Sequence, residues 1–395
     1  MRLLARAATA ALLTIAPIGA GTASAAAPEP TPAPLLTSAD AVPGNYIVTL
    51  DQGMDAARTA EKLKLKPSFV YRSVMNGFAA PLTPLQLDAV RRSLGVKSVE
   101  EDTKVAAPKM PAAARANRAP SVSWGRDRID QRESALDNNF TAKGSGSGVN
   151  AYILDTGIDY KHTEFDGRAS FGFDAMPDAA IQRGQDCQGH GTHVAGIVGG
   201  KTHGVATKAN LISVRVLGCD GKGSYSGILA GLDWVAKNAK QPAVLNASLG
   251  GPKSEAINNA ANAVSDAGIL PVIAAGNESQ DACNVSPASA SRVLTIAATN
   301  RYDEETSFSN YGGCVSLYAP GEEIVSAKLG GGSMALSGTS MAAPHVAGVI
   351  ALYKQAHPSE QPADIANFVT DESTKDAVLK ISKGTPNQLL FTSGL

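Results

Sequence analysis

Four short blocks of this chain carry residue types that can act together on a carbonyl group. In SGTSMAAPHVAG (337–348) one hydroxyl residue, Ser340, opens an apolar helix that holds Pro344 and His345. A serine at such a seam is either a plain helix cap or a nucleophile whose own N–H points at a developing oxyanion. ILDTGID puts Asp155 at the end of an apolar run, and GHGTHVAG puts His190 at the head of a small-residue helix. Asp, His and Ser are the parts that activate a hydroxyl. The imidazole takes its proton, and the carboxylate fixes the imidazole tautomer and stabilises its positive form. A fourth block, AAGNES, places Asn277 after a further apolar run, where its amide would donate to the oxyanion.

Each residue also has a plainer reading. Asp155 before Thr-Gly fits a turn, as does Asp159, and Asp-Thr-Gly also matches an aspartic protease. That chemistry needs a second such carboxylate, and the chain has no other D-T-G or D-S-G. His190 reads equally as a capping residue, while His193 and His345, inside small-residue helices, read as packed and hydrogen-bonded. Asn277 heads an N-x-S sequon, and a glycan there would block the proposed donor. An esterase elbow needs G-x-S-x-G followed by acid and then His. Here GTSMA ends in Ala342 and the order is Asp155, His190, Ser340.

The elements that must position these residues are legible as apolar strands alternating with helices from Trp124 onward. Strands are expected at 149–155, 210–217, 244–249, 269–275 and 293–298. Helices are expected at 190–200, 226–240, 255–268 and from Ser340. This alternation predicts an α/β fold with a doubly wound, mostly parallel sheet, whose site lies at the carboxyl ends of the strands. Before it, residues 45–102 read β-α-β-β-α-β, a small ferredoxin-like α+β unit, with Thr83 and Pro84 starting its second helix. A tail rich in Ala, Pro, Lys and Arg (103–120) reads as exposed and cleavable.

At 395 residues, 44% of them hydrophobic, the chain has room for two or three domains with a sizeable core. A net charge of −1 gives no reason to expect nucleic acid or an anionic membrane as partner. Arg2 and Arg6, a short apolar stretch and ASA (23–25) read as a secretory signal ending near Ala25. The stretch is broken by Pro17 and Gly19, and no later segment is long enough to span a bilayer. The protein is expected to be secreted. Four cysteines without C-x-x-C spacing then point to two disulfides rather than zinc.

Taken together, DTGID, GHGTHVAG, AAGN and SGTSMAAPHVAG resemble the subtilase family of serine proteases. From Trp124 on the chain resembles the proteinase K branch. Its aqualysin-like group shares WGRDRIDQR, DCQGHGTH, VRVLGCDG and the ending PNQLL. Residues 45–105 resemble the inhibitor-like propeptide of these enzymes. The resemblance implies a subtilisin-like serine endopeptidase, made as a self-processing precursor with boundaries at 1–25, 26–116 and 117–395, the cut falling near Ala116-Asn117. It implies Asp155, His190 and Ser340 as the catalytic residues and Asn277 as the oxyanion donor.

It also implies that Gly221, Lys222 and Gly223 on one side, and Ser248, Leu249 and Gly250 on the other, take the peptide between them as an added strand. With Ala274, Ala275 and Gly276 they would wall a pocket for apolar or aromatic side chains, with broad specificity and no acidic residue marking a basic preference. Cys187 would pair with Cys219, and Cys283 with Cys314. Asp127, Asp130, Gln131, Asp137 and Asn139 match a calcium site, and their oxygen donors suit that hard cation. Ser316 departs from the family, standing where an aspartate usually holds a second calcium. Partners would be protein and peptide substrates and the chain's own propeptide, with the enzyme a monomer.

Overall fold

The computed structural model describes residues 31–107 and 123–395. The expected secretory signal and the expected cut near Ala116-Asn117 lie outside them. Among the described residues no helix is long and apolar enough to cross a membrane.

An N-terminal module comes first: β1 (Ala41–Leu50), α1 (Ala56–Lys62), β2 (Phe69–Tyr71), β3 (Gly77–Pro81), α2 (Pro84–Arg91) and β4 (Val96–Ala106). Its strands run β4-β1-β3-β2, all antiparallel, with the two-residue strand Leu35–Leu36 added parallel to β4. Local sequence sets the helix starts. Asp55 accepts the Arg58 N–H, and Thr83 and Gln86 form a capping box around Pro84. Val48, Phe78, Val90 and Val99 close its core.

The larger domain is built on β5 (Asn150–Asp155), β6 (Ala169–Asp174), α3 (His190–Gly199), β7 (Asn210–Arg215), β8 (Lys222–Ser224), α4 (Tyr225–Asn238), β9 (Ala243–Ala247), α5 (Glu255–Asp266), β10 (Leu270–Ala274), β11 (Leu294–Thr299), β12 (Leu317–Pro320) and α6 (Thr339–Ala356). Its nine-stranded sheet places β12-β11-β10-β9-β5-β7-β6 side by side, all parallel. Two short C-terminal strands, Gln388–Leu389 and Thr374–Lys375, extend it beyond β12, the last of them antiparallel. The central strands β9 and β10 are buried at every position, as expected for a parallel sheet covered by helices on both faces. Each fully buried Val, Leu or Ile side chain there contributes about 1.5–3 kcal/mol. Among the strands that escaped the sequence reading are β6, a half-exposed edge strand, and β12, which ends in Pro320.

Strand β4 runs past the expected end at Asp102. Residues 103–107 are not an exposed tail: Thr103, Val105 and Ala107 are buried. Their partner comes from the other domain, because β4 pairs antiparallel with β8 (Val105 opposite Gly223), and the Ala107 N–H donates to Gly221 O at 2.7 Å. Two carboxylates of the same strand reach helix starts across the interface. Glu100 accepts from Ser254 Oγ (2.8 Å) and the Ala256 N–H (3.1 Å) at α5, and Asp102 accepts the Ser226 N–H (2.9 Å) and hydroxyl (2.5 Å) at α4. Both meet orphan N–H groups and the positive end of a helix. In return Asp233 on α4 accepts the backbone N–H groups of Arg72, Ser73 and Val74.

The chain is cross-linked by Cys187–Cys219 and Cys283–Cys314, with Cα separations of 4.9 and 5.3 Å. These distances suit unstrained bridges.

Candidate active site

Strand β5 lies where the sheet order reverses, with β7 on one side and β9 on the other, and its last residue is Asp155. Helix α3 begins with His190 and α6 with Thr339 and Ser340, while Asn277 follows the end of β10. All four therefore gather at the carboxyl ends of the strands. Gly191 lets α3 close on Asp155, since a Cβ there would stand 2.2 Å from Gly157 O and 3.1 Å from the Asp155 Cβ.

His190 Nδ1 is 2.8 Å from Asp155 Oδ1 and 3.0 Å from Oδ2. Asp155 also accepts the Thr156 N–H at 2.7 Å, and both residues are buried. Burial works to lower the His190 pKa. The charge and hydrogen bond of Asp155, with Asp186 behind, outweigh it and hold the pKa above the ordinary value. The other ring nitrogen, Nε2, is buried with no partner. His193 and His345 behave differently. Burial pushes them down to about 3 and about 4, and each uses one nitrogen on a backbone carbonyl, Met334 O and Met341 O. They are packed in the core as neutral rings.

Ser340 is 1% exposed. Its hydroxyl donates to Ser248 O at 3.2 Å, and the Ser248 hydroxyl returns a bond to Ser340 O at 3.0 Å. Hydrogen bonds of a resting site often tighten only when substrate arrives. The Ser340 N–H sits in the first turn of α6, where helical N–H groups lack an intrahelical acceptor. The Asn277 Oδ1 accepts the Thr339 N–H (2.8 Å) and hydroxyl (3.0 Å), which fixes the amide and leaves Nδ2 as a donor. Thr339, which holds the Asn277 amide, was not singled out by the sequence, and Ser248, expected there only on the substrate edge, also bonds Ser340.

Beside Ser340 lies a cavity of about 400 Å³. Leu249, Gly250, Ala274 and Gly276 line it, with Asn277 and Ser340 at one end. Ser248 and Ala275, expected on its wall, are fully buried and do not line it, and Ser248 bonds Ser340 instead. Glu278, Gln280 and Asn284 also line it, so the wall is more polar than small residues alone would make it. Gly221, Lys222 and Gly223 do not line the cavity; Lys222 and Gly223 pair with β4 and Gly221 accepts the Ala107 N–H, while Ala106 and Asp40 of the N-terminal module do line it.

The loop 127–139 lies apart from this cleft. Asp127 accepts the N–H groups of Asp137 (3.3 Å) and Asn138 (2.9 Å), Asp137 accepts that of Asn139 (2.9 Å), and Asp130 that of Thr141 (2.5 Å). Gln131 donates to the carbonyls of Glu133 and Ala135. Burial raises the pKa of Asp127 and Asp130, and the charge of Asp137 raises both further. Among the described residues no three His, Cys, Asp or Glu side chains form a metal cage. An ion here would need amide and carbonyl oxygens beside the carboxylates, and this loop carries both kinds. The crowding of Asp127 and Asp130 by Asp137 is what a hard cation relieves. At Ser316 the hydroxyl accepts the Thr295 N–H at 3.1 Å, so that position is satisfied by the protein itself.

The pattern of the subtilase family matches residues 146–389, and that of peptidase inhibitor I9 matches residues 64–107. The chain is 40% identical to an extracellular serine proteinase of Thermus sp. (strain Rt41A) over 389 residues, covering 91% of this chain and 92% of the relative. It is also 40% identical to alkaline serine exoprotease A of Vibrio alginolyticus over 378 residues, covering 91% of this chain and 70% of that protein. Among solved structures, a cold adapted subtilisin-like serine proteinase superposes with a TM-score of 0.66 and 46% identity, covering 68% of this chain and 97% of that one.

Proposed function

The chain belongs to the subtilase family of serine peptidases, with an I9 inhibitor module ahead of the peptidase, and we propose that it is a secreted, self-processing endopeptidase of broad specificity. Within the family its motifs favour the proteinase K branch and the aqualysin-like group. The proposed precursor has a signal at 1–25, a propeptide at 26–116 and a catalytic domain at 117–395.

In the proposed reaction His190 Nε2 takes the Ser340 proton as Oγ attacks the scissile carbonyl. Asp155 holds the Nδ1 proton and stabilises the imidazolium. The Ser340 N–H and Asn277 Nδ2 meet the oxyanion, and His190 then hands its proton to the leaving amine. Water, activated by the same imidazole, releases the acyl group. The observation that carries the reading is the buried His190, with Nδ1 tied to Asp155 and Nε2 left without a partner.

Broad specificity rests on backbone pairing. The Gly221–Gly223 edge holds β4 through main-chain groups, and a substrate strand would dock in the same way. Calcium is proposed at Asp127, Asp130, Gln131, Asp137 and Asn139, where it would brace the loop and take no part in the chemistry.

The test is Ser340→Ala. Expressed alone in a protease-deficient host, it should accumulate as one uncut chain from about residue 26, while wild type yields a fragment near 117–395. Maturation of the variant at the same bond would assign the cut to another protease. Casein hydrolysis that a serine-directed inhibitor abolishes separates the peptidase from a silent binding protein of the same fold.

A further inference from the structure

Asp186 stands in the loop ahead of α3, and its buried carboxylate accepts five hydrogen bonds. Oδ1 takes the N–H groups of Gln188 (2.9 Å) and Gly189 (2.8 Å) and the Thr156 hydroxyl (3.0 Å). Oδ2 takes the N–H (2.9 Å) and the hydroxyl (2.6 Å) of Thr192. Thr156 directly follows Asp155, and Thr192 lies in the first turn of the helix that His190 opens. One carboxylate therefore ties the strand end that carries Asp155 to the helix that carries His190.

The two hydroxyls extend the tie. Thr156 Oγ accepts the Gly191 N–H at 2.9 Å, and Thr192 Oγ accepts that of Asp159 at 3.0 Å. Gln188 Oε1 takes the His190 N–H at 2.7 Å. The N–H groups of Gly189, His190, Gly191 and Thr192, which the helix cannot satisfy by itself, thus all have acceptors. Two of those acceptors are oxygens of Asp186, whose charge also suits the positive end of α3.

We propose that Asp186 is a positioning residue for peptide-bond hydrolysis, holding the head of α3 on the end of β5 so that His190 meets both Asp155 and Ser340. The proposal rests on the peptidase reading and adds a second carboxylate to its machinery. A further effect separates this role from that of a plain scaffold. Burial lowers the pKa of His190; Asp155 raises it, and the charge of Asp186 adds to that rise. Arg215 on β7 stands opposite Asp155 in register, but its guanidinium is spent on Asp174 and Asp178. The rings of His193 on α3 and His345 on α6 stay neutral. Removing the Asp186 charge therefore lowers the pKa of His190.

The experiment compares mature wild type with Asp186→Asn and Thr192→Val on an N-blocked peptide p-nitroanilide with Phe before the scissile bond, across the titration range of histidine. Asn keeps one acceptor oxygen, turns a donor toward Thr192 or Thr156, and removes the charge. Its kcat should fall about 10²-fold, the loss that a displacement of about 1 Å brings, with KM within about twofold. The acid limb of kcat/KM reports His190 in the free enzyme. It should move down by about half a pH unit, less than the roughly 1–3 units of a charge in direct contact. Thr192→Val keeps the charge, so its kcat should fall about tenfold, a smaller misplacement, with the acid limb in place. For Asp186→Asn, a near-wild-type kcat or an acid limb that does not move down overturns the proposal. Should that variant fail to fold, Thr192→Val carries the test, and a wild-type kcat overturns the proposal. Wild type that leaves the substrate uncut overturns the peptidase reading itself, a result distinct from cleavage that ignores Asp186.

Discussion

His190 Nδ1 and Asp155 Oδ1 are 2.8 Å apart with both side chains closed to solvent. The neutral imidazole therefore carries its proton on Nδ1 and its lone pair on Nε2. Asp155→Asn presents an amide that can demand the opposite tautomer. We expect kcat to fall about 10⁴-fold, the loss known for this change in another serine protease, with KM little altered. A fall of less than tenfold in casein hydrolysis would contradict the assignment.

Asn277 has its amide oxygen committed to Thr339, so only Nδ2 is free to meet charge that appears in the transition state. Asn277→Ala should lower kcat about 10²–10³-fold, close to 3 kcal/mol, and leave KM nearly constant. The size is taken over from subtilisin, a relative of this chain, and not obtained from the geometry. A variant with unchanged kcat removes Asn277 from the reaction.

The docked N-terminal module should loosen as pH rises. Burial raises the pKa of Glu100 above 4.5 and of Asp102 above 3.8, against the lowering effect of their bonds to Ser254, Ala256 and Ser226. A carboxyl with a higher pKa when docked favours docking fully below those ordinary values, and the contribution is lost as pH rises through the docked values. Each pKa unit of difference is worth about 1.4 kcal/mol. Melting of the uncut Ser340→Ala chain across pH reports the effect, and adding Glu100→Gln with Asp102→Asn should flatten the profile. Parallel profiles for the two chains contradict the prediction.

Chelation should lower the melting temperature of the mature enzyme by several degrees. A ligand at about 100 times its Kd adds about 2.7 kcal/mol, and each kcal/mol moves Tm by about 2–4 °C in a domain of this size. Asp127→Asn should lower the starting Tm and blunt the response to chelator. Equal responses in both proteins would place the ion elsewhere.

Much of this was legible in the sequence because buried parallel strands write themselves as short apolar runs. Asp155 and Asn277 follow such runs, and His190 and Ser340 open helices of small residues, so local pattern alone brought the four together. What escaped depended on distant partners. The extension of β4 to Ala106 is stabilised by Lys222–Ser224, and nothing in TKVA signals that pairing. Glu100 and Asp102 lie at the end of the last strand expected in the small unit, and nothing around them in the sequence marks that they serve helices of the other domain.

The sharing of β4 between two sheets has a bearing on timing. One strand is paired with β1 inside the N-terminal module and with β8 on the catalytic edge. Cutting the chain beyond Ala107 breaks a covalent link and leaves every bond of that double ladder in place. The severed module can depart only by stripping β4 from the edge, which also uncovers the buried carboxylates of Glu100 and Asp102. Under the proposed maturation, the interval between cleavage and full activity would be governed by how fast this strand peels, a matter of dwell time, and a weakened ladder would shorten the delay without changing the proposed catalytic residues.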